Sequence, residues 1–259
     1  MADEVLRERH GHVEIVTINR PDQRNAINGA VSLAMSEIMD DLEKDDDCWV
    51  VIITGAGDKA FSAGMDLKAF ASGEGGGIIN GNGGFAGITT RVFPKPIIAA
   101  VNGSALAGGF EIMLSCDLVV AVEHAVFGIP EAKRGLIAGG GGLIRMPKRL
   151  PMAIALEMGM TGDSIDARRA EALGLVNKVV PADEVLERAL EWAAEFARGP
   201  LVAHAQAKAA VDGGLQGTLA EGIALEQGAF AVVGRTEDAR LGITSFLENG
   251  PGKASFVGR

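Results

Sequence analysis

The chain has 259 residues, of which 47% are hydrophobic and 22% charged, a composition that supports a buried core and excludes wholesale disorder. Its formal net charge of −10 argues against nucleic acid and anionic membrane surfaces as partners, leaving small ligands whose phosphates meet local Lys or Arg. The two cysteines, Cys48 and Cys116, form neither a disulfide framework nor a metal-binding spacing; with a charged N-terminus and no apolar run long enough to span a bilayer, they predict a cytoplasmic protein with reduced, buried thiols.

In chain order, residues 4–9 and 12–18 alternate polar and apolar around Gly11 and predict a hairpin. Asn28 caps a predicted helix whose apolar stripe runs through Val31, Leu33, Met35, Ile38, Met39 and Leu42. Continuous apolar runs at 49–54, 96–101 and 118–122 suit strands covered on both faces, and a helix starting near Gly108 separates the last two. Such alternation of strand, helix and strand predicts an α/β fold with crossover connections. After about residue 150 the pattern turns helical, at 181–198, 201–213, 218–233 and 236–248, with one extended piece at 175–180. The expected division is an α/β core over residues 1–199 and a helical region over 200–259, packed together because no linker separates them. Residues 73–87 hold eight glycines and predict an irregular, mobile wall of a ligand pocket.

Several motifs fail on context. Gly55-Ala56-Gly57 follows a predicted strand, but Phe61-Ser62-Ala63-Gly64 interrupts the helix that a dinucleotide site needs. His10 and His12 lie on a hairpin without a third ligand, and no metal site is expected. Ser62 and Ser104 lack a nucleophile elbow. The glycine run at 139–142 lacks the ending of a phosphate loop and reads as tight packing or a turn.

A stronger constellation remains. Ala107-Gly108-Gly109 opens a helix, where amide hydrogens are unpaired and lie at the positive end of the dipole. The Met65 amide supplies a second donor, and two donors aimed at one oxygen make an oxyanion hole. Glu111 follows one turn into that helix among Phe110, Ile112, Met113 and Leu114, where a buried carboxylate needs a reason. Glu131, after Pro130, sits in the first turn of a further helix. Two amides and two carboxylates suit a reaction that polarises a carbonyl and moves protons beside it.

These segments, together with Asn19-Arg20-Pro21, Arg24-Asn25-Ala26-Ile27, Pro94-Lys95-Pro96, Asn102-Gly103, Ser115-Cys116-Asp117, Thr161-Gly162 and Ala172-Leu173-Gly174-Leu175-Val176-Asn177, resemble the crotonase superfamily, the enoyl-CoA hydratase/isomerase family, in the same order along essentially the whole chain. The resemblance implies a superhelix, or spiral, of ββα turns and a C-terminal α-helical region that drives assembly into a homotrimer or a hexamer (dimer of trimers) and covers the active site. It implies an acyl-CoA thioester as substrate, held through Arg24, Ala26, Ala63, Asp66, Leu67 and Lys68. Met65 and Gly108 match the oxyanion amides, and Glu111 and Glu131 match the two catalytic glutamates of the hydratases. The expected reaction is syn addition of water to a 2-enoyl-CoA, without metal or redox cofactor. The alternatives are a carnitinyl-CoA dehydratase or related hydro-lyase, an enoyl-CoA isomerase, and a non-catalytic acyl-CoA-binding paralogue.

Overall fold

The computed structural model describes residues 4–79 and 81–259. The chain begins with the hairpin of β1 (Val5–His10) and β2 (Val13–Ile18), followed by α1 (Gly29–Lys44). Asn28 caps α1 through its side-chain oxygen, which accepts from the Val31 amide at 2.8 Å. Val31, Met35, Met39 and Leu42 form the helix's buried stripe, whereas Leu33 of the expected stripe is exposed.

The chain then alternates between two sheets. β3 (Val50–Gly55), β5 (Ile97–Val101) and β7 (Leu118–Val122) enter one sheet, and each is followed by a short strand of the other: β4 (Ala60–Ser62), β6 (Ser104–Leu106) and β8 (Val126–Gly128). The larger sheet has the order β1-β2-β3-β5-β7-β10, where β10 is Lys178–Val180. Only the β1–β2 pair in it is antiparallel. The smaller sheet runs β4-β6-β8-β9, with β9 at Ile165–Asp166. Every residue of β3 and β5 is buried, as continuous apolar runs require when both faces are covered.

Polar side chains at the corners fasten each turn of this spiral to the one before it. Asn102, after β5, accepts from the Gly55 amide at 3.1 Å and donates to Gly57 O at 2.7 Å. Asp117, before β7, accepts from Ile97 N at 2.7 Å. Asn177, before β10, accepts from Val119 N at 2.9 Å.

Between β4 and β5 the chain makes the short helical turns α2 (Leu67–Ala69) and α3 (Gly75–Ile79), joined by a π-helical turn over Phe70–Glu74. A 3₁₀ turn follows over Phe85–Gly87. The expected irregular stretch at 73–87 is therefore partly helical. Packing on α1 overrides glycine's preference: Ile78 is fully buried, and the hydroxyls of Ser32 and Ser36 donate to Ile78 O and Asn82 O at 3.0 and 2.7 Å.

α4 (Gly108–Leu114) is buried along its whole length. After β8 come a 3₁₀ turn (Pro130–Arg134), α5 (Gly142–Arg149), α6 (Met152–Thr161) and α7 (Ala167–Ala172). α8 (Val185–Phe196) lies across β2, β3, β5 and β7, with Val185, Ala189 and Ala193 buried. α9 (Leu201–Gly214) and α10 (Leu219–Val233) pack on each other, and α11 (Glu237–Asn249) ends the helical region. Lys208 of α9 reaches Asp117 Oδ2 at 2.8 Å and ties these helices to the core.

Candidate active site

The site forms where β4, β6 and β8 end. Residues 24–27 run alongside 63–66: Ala63 N donates to Arg24 O (3.0 Å), Ile27 N to Gly64 O (2.8 Å) and Asp66 N to Ile27 O (2.9 Å). In this parallel bridge the Met65 amide points away from Ile27, because successive N–H groups of an extended chain face opposite ways. Gly64 meets the start of α4 so closely that a Cβ there would lie 2.7 Å from Gly108 N. Among the described residues, neither the Met65 nor the Gly108 amide hydrogen is taken by a backbone carbonyl.

Ala107 turns the chain from β6 into α4 with φ +53° and ψ −129°, a conformation that costs a residue with a side chain of order 1–3 kcal/mol. The two glycines that follow answer different contacts. A Cβ on Gly109 would fall 2.0 Å from Ser62 O of β4, and one on Gly108 would fall 2.5 Å from the Phe85 ring. Phe85 therefore roofs the Gly108 peptide.

Glu111 is 4% exposed. Its Oε1 accepts from the Gly140 and Gly142 amides at 2.7 and 2.8 Å, at the positive end of α5. The glycine run at 139–142 is thus a turn, as expected, and also a cradle that sequence reasoning missed. Its signal was glycines directly before a helix start, where bare amides can approach an anion. A Cβ on Gly140 would lie 2.7 Å from Glu111 Oε2. Burial raises the Glu111 carboxyl above the usual range, opposed by the two amide bonds and by the Arg145 charge.

Glu131 lies in the 3₁₀ turn after β8, which is tied to the start of α4 through Ala107 N donating to Gly128 O at 2.9 Å. Glu131 Oε2 is buried and has no hydrogen-bond partner. Burial raises this carboxyl as well, its own backbone amide lowers it, and the charge of Glu111 raises it further. The charge of Glu111 thus reaches the Glu131 carboxyl.

Of the residues expected to hold CoA, Arg24, Ala26, Ala63 and Asp66 lie along the paired strip, and Leu67 and Lys68 follow it as exposed residues. The Asp66 carboxylate is already engaged: it caps α2 through the Lys68 and Ala69 amides (3.1 and 3.2 Å) and pairs with Arg20 at 3.0 Å. Arg24 and Ala63 also line a cleft of about 550 Å³ with Lys59, Leu106 and His124. The sequence reading passed over Lys59 and His124, which are distant in the chain and meet only through the parallel pairing of the smaller sheet. Among the described residues no group of three or more His, Cys, Asp or Glu is set to hold a metal ion. Nor is any of their helices long and apolar enough to cross a membrane.

The profile of the enoyl-CoA hydratase/isomerase family matches residues 8–257. The chain belongs to this family, the crotonase superfamily. It is similar to a carnitinyl-CoA dehydratase of Salmonella typhi, 44% identical over 210 residues and 80% of either chain. Its fold is similar to that of the enoyl-CoA hydratase EchA1 from Mycobacterium marinum (TM-score 0.93, 42% identity, 99% of this chain and 100% of that one). It is also similar to a carnitinyl-CoA hydratase from Mycobacterium avium (TM-score 0.78, 41% identity, 96% and 97% covered). The alternating two-sheet spiral with its C-terminal helices is thus the crotonase architecture.

Proposed function

We propose that this crotonase adds water reversibly, with syn geometry, across the Cα–Cβ double bond of a 2-enoyl-CoA thioester. The thioester oxygen is held by the Met65 and Gly108 amides, which stabilise the enolate-like charge of the transition state. A water sits between the two glutamates. Glu111, with Oε1 fixed by two amides, takes the water's proton as oxygen attacks Cβ. Glu131, whose carboxyl burial and its acidic neighbour raise above the usual range, delivers a proton to Cα. Arg24, Ala26, Ala63, Asp66, Leu67 and Lys68 hold the CoA moiety, with Lys59 and His124 beside its phosphates. The scheme needs no coenzyme other than the CoA carried by the substrate.

The observation that carries this reading is the carboxylate pair: a buried, unpartnered Glu131 Oε2 next to a Glu111 held rigidly by the α5 amides. A buried acceptor left unpaired is costly, and a bound substrate water satisfies it. Hydration of crotonyl-CoA, followed by loss of its ultraviolet absorbance, tests it. Glu131→Gln and Glu111→Gln should each lower kcat by about 10²–10⁴-fold while CoA binding persists. Near-normal turnover in either variant refutes the assigned role.

A second reading, dehydration of carnitinyl-CoA, is favoured by the 44% identity to carnitinyl-CoA dehydratases. It uses the same glutamates on a different acyl group, and parallel assays of crotonyl-CoA and crotonobetainyl-CoA separate the two. The proposal includes a cytoplasmic location, supported by the two free, buried thiols. It also includes assembly into trimers or hexamers through the C-terminal helices, supported by their exposed apolar side chains.

A further inference from the structure

The cradle around Glu111 has a second layer. Arg145 lies three residues past Gly142 on α5, and its side chain turns back toward the helix start. Its guanidinium donates to Gly140 O at 3.3 Å and to Thr89 O at 2.6 Å. Gly140 supplies one of the amides that hold Glu111. Thr89 closes the turn that carries Phe85, donating its amide to Phe85 O at 3.3 Å, and Phe85 roofs Gly108. One planar group thus joins the loop that holds the acid to the loop that covers the oxyanion peptide. Within that second loop Ala86 holds φ +52°, a left-handed conformation that is costly for a residue with a side chain.

Resting on the hydratase reading above, we infer that Arg145 is a positioning residue that fixes the Glu111 carboxylate through Gly140 and the Phe85 roof through Thr89, so that base and oxyanion hole keep one geometry. Its charge also acts on Glu111 directly. β4, β6 and the Phe85–Gly87 turn pack against α4 without any ionisable side chain. Glu131 faces from the 3₁₀ turn, and of the α5 cations Arg145 is the one whose field favours the ionised Glu111. Arg149 and, from α9, Asp212 flank the guanidinium itself.

Two substitutions divide these roles. Arg145→Gln removes the charge and one of the two bonds. Arg145→Lys keeps the charge, but a single ammonium does not reproduce a planar fork spanning two carbonyls. In protein labelled with carboxyl-¹³C glutamate, the Glu111 signal, assigned by its loss in Glu111→Gln, should titrate at higher pH in Arg145→Gln and near the wild-type midpoint in Arg145→Lys. Both variants should lose about 10–100-fold in kcat on crotonyl-CoA with KM nearly unchanged, the cost of a misplaced base. The acidic limb of the rate profile should move upward in Arg145→Gln alone. A folded Arg145→Gln, judged by circular dichroism and CoA affinity, with wild-type midpoint and wild-type profile overturns the inference. If Arg145→Gln does not fold, wild-type kcat in Arg145→Lys overturns it. A wild-type protein inactive on every enoyl thioester refutes the hydratase reading, while the carboxyl titration still decides whether Arg145 acts on Glu111.

Discussion

Gly140 is the residue where the least chemistry has the most leverage. Its amide holds Glu111, and its missing side chain leaves room for the same carboxylate. Gly140→Ala places a methyl 2.7 Å from Oε2 and 3.0 Å from Cδ, so the carboxylate must move. A displacement of that kind costs about 10²-fold in rate. The variant should fold, bind CoA and hydrate crotonyl-CoA about a hundredfold more slowly. Glu131 supports a different prediction. Its carboxyl is raised in the folded chain, so it favours folding fully only below the unfolded value near about pH 4.3, and loses that contribution as pH rises through the folded value. At neutral pH the buried carboxyl, with Oε2 unpartnered, is therefore a burden. Glu131→Gln should melt a few degrees above the wild type at pH 7, and thermal scans should show that gap closing below about pH 4. Stability and activity then move in opposite directions in one variant, as expected of a group retained for function.

Among the elements, α9 is tied to the core through Lys208. Lys208 Nζ meets Asp117 Oδ2 at 2.8 Å and Lys95 O at 3.0 Å, and its ammonium lies 5.9 Å from the centre of the Phe93 ring. Burial raises the Asp117 carboxyl, and Lys208 lowers it. Removing the cation strands a mostly buried carboxylate, so Lys208→Met should lose about 1–2 kcal/mol in urea unfolding. The outlines of such elements were legible where a pattern repeats. Asn28 and its apolar stripe announce α1, the continuous runs announce β3, β5 and β7, and Ala107-Gly108-Gly109 announces α4. What escaped has no local period. The Glu111 cradle needs residues 29 and 31 positions away in sequence to converge on one carboxylate, and the roof over Gly108 depends on Phe85 packing from an insert. Leu33 shows the opposite failure, since a position can keep helical spacing and still face outward. The glycine-rich 73–87 stretch misled because composition speaks of backbone freedom, whereas Ile78 and two serine hydroxyls remove that freedom by packing.

For the whole molecule, the alternation between sheets explains why the site lies where it does. Each turn gives one strand to each sheet, so the ends of β4, β6 and β8 come side by side and bring Met65, Gly108 and Glu131 into one neighbourhood although they span 66 positions. The C-terminal helices present a different surface. Phe230 is 80% exposed and Leu247 78%, on helices α10 and α11 respectively. Sedimentation velocity should find trimers or hexamers, and a Phe230→Asp, Leu247→Asp double variant should sediment as a monomer. A wild-type monomer refutes the proposed assembly. One further consequence follows from how the segment at 66–91 is hung. Its near end is bonded to Ile27, and its far end is held by Arg91 on Asp40 and Glu43. With both pegs fixed, this insert can be exchanged for a longer or bulkier one without disturbing a rung of either sheet. Provided residues 66–68, an aromatic over the helix start and the Thr89 carbonyl that receives Arg145 are all kept, such a graft should, on the proposed function, change which acyl chains are admitted and leave the proton-handling apparatus as it is.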